Sequence, residues 1–327
     1  MDDRYLWDRT GPVDREVERL ERALSPLRHS GRAPAIPAPR RFVRIWALAA
    51  VLALGALLGG WLLRARPAWD VARVEGAPRV GRERIGATGK LPVGGWLETD
   101  ASSRAKIRVG AIGQVEVSPN SRLRLVESRF RAHRLALERG AIEARIWAPP
   151  RLFFVETPAA LAIDLGCVYS LRVDPSGGGV LSVTAGWVQL TRSDREALVP
   201  AGASCLMRKG AGPGTPFYDD ASPAFRRALE RYDFGDAPVE ALDALLREAR
   251  KRDALTLWHL LTPAHGAEQE RVFARLAALI PPPPGVTLEA VRDREDRSLE
   301  LWRDQLGIPW YTKQSPWWRR AWHRVRS

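Results

Sequence analysis

The stretch IRVGAIGQVEVSPNSRLRLVE, residues 107–127, decides the fold of this chain. Ile107 and Val109 alternate with Arg108, Val115 and Val117 flank Glu116, and Leu123 and Leu125 flank Arg124. A period of two puts the apolar side chains on one face of a strand and the charged ones on the other. Gly110, Gly113 and Pro119-Asn120 interrupt the alternation, and these residue types supply the backbone angles that tight turns need. Outward from this stretch the pattern continues through Leu135 and Leu137, then Ile142, Ala144 and Ile146. Further turns are expected at Gly140, Pro149-Pro150 and Pro175-Ser-Gly-Gly-Gly. Short alternating runs punctuated in this way predict an all-β region over residues 70–215.

Beyond it the period changes to that of helices. Ser222-Pro223 reads as an N-cap followed by a first-turn proline. Asp236 with Pro238 opens a second helix, whose predicted buried face is Val239, Leu242, Leu245, Leu246 and Ala249. Asp253 is expected to cap a third helix, a fourth covers 267–280 and ends at Pro281 to Pro284, and a fifth covers 292–306. Helices of this length with short connections predict an all-α bundle over 222–307. His259, on a leucine-rich helix, reads as a hydrogen-bonded packing residue.

Toward the N-terminus, IWALAAVLALGALLGGWLL (residues 45–63) carries no charge. As a helix it would be roughly 28 Å long, close to the hydrocarbon thickness of a bilayer, about 30 Å. Arg40, Arg41 and Arg44 precede it, Arg64 and Arg66 follow it, and Trp46 and Trp61 sit near its ends. It lies too far from the start for a cleaved signal peptide. The expectation is a single transmembrane helix, with a lipid bilayer as partner. Gly55 and Gly59 would allow two such helices to pair as a homodimer.

Before it, residues 1–29 form a charged tail in which Val13, Val17, Leu20 and Leu24 recur at helical spacing. Alone in water so short a helix is marginal. The tail reads either as a docking helix for a partner or as a solvated end. Residues 30–44 are a Pro- and Arg-rich linker. At the other terminus, residues 308–327 join Trp317, Trp318 and Trp322 to Arg319 and Arg320. Indoles beside guanidiniums suit a membrane or envelope surface, or packing back onto the helices.

The net charge of +13 favours anionic partners without naming one, and no nucleic acid is expected. The two cysteines, Cys167 and Cys205, cannot build a zinc quartet, and no His-Glu-x-x-His, Walker loop or Gly-x-Ser-x-Gly elbow occurs. Neither enzyme chemistry, nor a cofactor, nor a metal is expected.

Six ordered stretches resemble the FecR domain, a bacterial periplasmic domain of short stacked strands. They are GGWLETDASSRAKIRV from Gly94, GQVEVSPNSRLRLVE from Gly113, LALERGAIEARI from Leu135, FFVETPAALAIDLGCVYSLRV from Phe153, VLSVTAGWVQL from Val180 and VPAGASC from Val199. Gly166 and Tyr169 stand at the family's Gly and aromatic positions, and Cys167 stands where Thr is usual. With the span and the helices read above, the expected architecture is a multi-domain membrane protein: one transmembrane helix, a FecR-like β domain, then the helical bundle. The resemblance implies a place in the bacterial inner membrane, N-terminus in the cytoplasm and C-terminal domains in the periplasm. In an oxidising compartment Cys167 and Cys205 either form a disulfide or remain separate buried thiols.

Proteins of that kind relay the state of a periplasmic or outer-membrane partner to a cytoplasmic sigma factor, so a non-enzymatic sensor and regulator is expected. This tail is shorter than the family's usual cytoplasmic segment. An envelope-anchored binding or scaffold protein, with no inward signal, is the other reading.

Overall fold

The computed structural model describes residues 15–27, 67–130, 132–193, 195–235, 238–293 and 296–306. The chain divides into two compact units, Met1–Ala65 and Arg66–Ser327. In the first, the described part is helix α1, Arg15–Leu24, followed by a 3-10 turn, Ser25–Leu27. Pro26 lacks the N–H that the next helical bond would need, and the helix stops before it.

The second unit is mainly β. Among the described residues eighteen strands run from β1 (Ala68–Glu75) to β18 (Phe217–Tyr218) and make two sheets that share one strand. The first sheet runs from β4 (Thr88–Pro92) through β1, β6 (Arg104–Val109), β7 (Gly113–Val117), β9 (Ala132–Ile146), β12 (Val168–Val173) and β13 (Gly179–Ala185) to β16 (Ala203–Arg208). The second runs from β3 (Glu83–Arg84) through β2 (Arg79–Val80), β5 (Trp96–Glu98), β8 (Arg122–Arg129), β9, β10 (Phe153–Glu156), β11 (Leu161–Asp164) and β14 (Trp187–Arg192) to β15 (Arg195–Pro200). Hairpins fall on both sheets, β6–β7 and β12–β13 on the first and β8–β9, β10–β11 and β14–β15 on the second, so the chain builds both layers as it advances. Ile107, Val115, Leu123, Leu135, Ile142, Leu171 and Val188 are all fully buried between them. Their charged neighbours face outward, which is why period two was readable.

Gly140 differs from the expected turn. Strand β9 runs through it unbroken, pairing with β8 and β10 before it and with β7 and β12 after it. Gly140 has φ +97°, and a Cβ there would lie 2.2 Å from Ser121 Oγ and 2.4 Å from Ser121 Cα. Only glycine lets the strand bend between the sheets at this point.

Five of the C-terminal helices are α2 (Pro223–Phe234), α3 (Pro238–Glu248), α4 (Ala254–Leu260), α5 (Gly266–Leu279) and α6 (Leu288–Arg292); α7 (Asp296–Gln305) follows. Ser222 caps α2 as expected, its hydroxyl accepting the Phe225 N–H at 3.0 Å. Asp253 precedes α4 but makes no side-chain cap; its carboxylate accepts the Arg250 N–H instead. On α3, Leu242 and Leu245 are fully buried, whereas Val239 is 51% exposed and leaves the predicted face. The fifth predicted helix, 292–306, corresponds to α7, and the short α6 before it was not predicted.

The expected multi-domain membrane architecture is corrected by these elements. Among the described residues no helix is long and apolar enough to cross a membrane. The longest, α5, has 14 residues and is about 21 Å long, well short of a bilayer core of about 30 Å. The C-terminal helices are short, and each buries apolar side chains on its neighbours. The predicted span, 45–63, lies outside the described residues. The inner-membrane location and the orientation that the resemblance implied are corrected likewise, since no helix among the described residues could cross a membrane.

Candidate functional site

Helix α1 presents three of the four predicted docking residues; Val13 lies outside the described residues. Leu20 is 61% and Leu24 56% exposed, Val17 is half-buried, and no residue of the helix is buried. Arg22 bonds Glu18 one turn back at 2.8 Å, and Glu16 and Glu18 lie in the positive first turn. Local charge chemistry therefore supports the helix while its apolar stripe remains uncovered. The C-terminal candidates Trp317, Trp318, Arg319, Arg320 and Trp322 lie outside the described residues.

The two cysteines are free and buried, so the disulfide alternative is corrected. Cys205 is in β16 and Cys167 just precedes β12, and β13 runs between those strands. Two strand spacings amount to about 9.6 Å, beyond the roughly 7 Å that a disulfide bridges between Cα atoms. Each thiol has its own acceptors: Cys205 Sγ donates to the Gly214 carbonyl at 3.2 Å, and Cys167 Sγ to Asp164 Oδ2 at 2.6 Å.

Asp164 is the residue that sequence reading missed. It ends β11 where the chain crosses from the second sheet to the first. Its Oδ1 accepts the Gly166 N–H at 2.7 Å, and its side chain is 1% exposed. Gly166, at φ +90°, makes the turn, and a Cβ on Gly186 would fall 2.2 Å from the Gly166 carbonyl oxygen. Burial raises the Asp164 carboxyl from its ordinary 3.8 to about 7. Burial, and then the neighbouring Asp164, push the Cys167 thiol well above its ordinary range. A thiol held protonated is a poor nucleophile, so this cluster locks a corner rather than performing chemistry. Tyr169 is fully buried beside it, its hydroxyl without a hydrogen-bond partner. The available sequence signal was a carboxylate inside the apolar run LAIDLG.

His259 occupies the place expected of a packing residue. Its Nε2 accepts the Leu198 N–H of β15 at 3.2 Å, while Nδ1 lies 2.8 Å from the Leu255 carbonyl, one helical turn back. That pairing sets the tautomer with the proton on Nδ1. Burial lowers its pKa from 6.5 to about 4. Asp233, raised by burial, accepts from both the N–H and the hydroxyl of Thr215. Among the described residues no group of three or more His, Cys, Asp or Glu side chains is placed to hold a metal ion.

Comparison with known proteins bears on the β unit. The family described as FecR protein matches residues 96–189. No curated protein matches the chain. Two crystal structures of a candidate anti-sigma factor from Parabacteroides distasonis ATCC 8503, at 1.65 and 2.50 Å resolution, are similar at 14% identity and a TM-score of 0.34. The likeness covers 41% of this chain and 63% and 62% of those chains. The matched residues start in β5 and end in β14, so they take in the Gly140 bend and the Asp164 corner. The chain carries a FecR domain, from Trp96 to Gln189.

Proposed function

We propose that this chain is a non-enzymatic signalling regulator whose helix α1 holds a protein partner, and that the partner is a sigma factor of the extracytoplasmic-function kind. The observation that carries the reading is the uncovered stripe on α1, where Leu20 and Leu24 are more than half exposed. Isolated helices this short gain most of their stability from packing an apolar face, so α1 needs a cover. The FecR domain at 96–189 supports a regulatory role, because the family it resembles controls such factors. The non-enzymatic part is supported by the perturbed groups themselves. Asp164, Asp233 and His259 are each engaged by neighbouring backbone or side chains inside the fold.

The test is titration of the full chain with a sigma factor encoded beside it. Saturable binding is expected, and replacing Leu20 and Leu24 together by Glu should weaken it about a hundredfold, the scale of two apolar anchors. Because neither side chain is buried, thermal stability of the variant should not change. Undiminished binding by the double variant would defeat the reading.

A further inference from the structure

Helices α3 and α5 enclose an open cleft of about 550 Å³, lined by Asp243, Leu246, Arg247, Arg271 and Arg275. Three guanidiniums and one carboxylate share this lining, so positive charge exceeds negative by two. Arginine stays charged at any physiological pH. Two of the three are already oriented by the protein. Arg271 is ion-paired with Asp243, and Arg275 Nη2 donates to the Ala249 carbonyl just past the end of α3, at 2.6 Å. Arg275 Nε is buried and has no hydrogen-bond partner. Arg247 reaches only the backbone carbonyl of Asp243, through Nε at 3.2 Å, which leaves its terminal nitrogens toward solvent.

From this arrangement we infer that the cleft binds a small organic phosphomonoester. The charge excess matches a phosphate monoester, which carries about −1.5 to −2 at neutral pH, better than it matches a single carboxylate. Guanidinium forks bond phosphate oxygens in pairs, and forks fixed in advance lose little entropy on binding. The cleft is larger than a phosphate group and open to solvent, and Leu246 gives it an apolar patch for the rest of the ligand. This inference concerns the helical region and is independent of the partner proposed for α1.

Calorimetric titration of the full chain with glycerol phosphate, inorganic phosphate and malonate tests it. Both phosphates should saturate at millimolar concentration or below, and malonate should bind at least about tenfold more weakly. R247Q and R271Q should each weaken glycerol phosphate about tenfold or more, whereas R124Q, beside Trp96 on the outer β face, should leave it unchanged. Arg247 is exposed, so its replacement leaves the fold intact. No saturation, equal binding of malonate, or an equal loss in R124Q would overturn the assignment; the last would show only general attraction to a basic protein.

Discussion

Asp164 and His259 respond to pH in opposite directions. Between 3.8 and about 7, folded Asp164 keeps a proton that the unfolded chain has released. Stability from this residue therefore falls as pH rises, by on the order of 4 kcal/mol once pH passes 7. Between 6.5 and about 4 the unfolded chain protonates His259 while the folded chain does not. Its contribution falls as pH drops, by about 3 kcal/mol. Urea unfolding from pH 4 to 8 should show D164N gaining on the natural chain as pH rises, by several kcal/mol over the window, while H259F removes the acid-side loss. A D164N difference that does not vary with pH would refute this account. The thiols supply a second check: neither should react with a thiol reagent in the folded chain, and both should react on unfolding without any reductant. His259 was legible because leucines surround it in sequence. Asp164 was not, because a carboxylate belongs at the surface unless the packed fold buries and bonds it.

At the scale of elements, Gly140 carries the largest expected effect. G140A forces an L-residue to φ +97° and drives its Cβ into Ser121. A loss of about 3 kcal/mol or more is expected in equilibrium unfolding. S121G should not rescue it, since the Ser121 Cα itself is 2.4 Å from the added atom. Rescue by S121G would mean that side-chain crowding alone sets the requirement. The bend left a trace in the sequence. Core-facing positions are odd at Leu135 and Leu137 and even at Ile142, Ala144 and Ile146, so the inward parity flips across the glycine. The β15 edge of the second sheet is covered through an element as well: His259 of α4 takes the Leu198 N–H, which would otherwise invite another strand.

The whole second unit has two apolar clusters, one between the sheets and one among the helices. They exchange residues. Leu255 of α4 belongs to the β core, and Phe217 of β18 belongs to the helical core. Thr256 Oγ1 donates to the Pro216 carbonyl at 2.8 Å, and Thr215 bonds Asp233, so polar contacts follow the same boundary. Scanning calorimetry should accordingly show residues 67–306 unfolding in one transition, with calorimetric and van't Hoff enthalpies equal. Two resolved transitions would separate the helices from the sheets. The strands, the Ser222 cap and the end of α1 were determined by the sequence itself, because alternation, capping and proline act within a few residues. The crossing of β9, the separation of the two thiols, the protonated Asp164 and the arginine cleft were decided only by tertiary structure. Each depends on distances between residues far apart in the chain, and those are set when the two sheets and the helices pack.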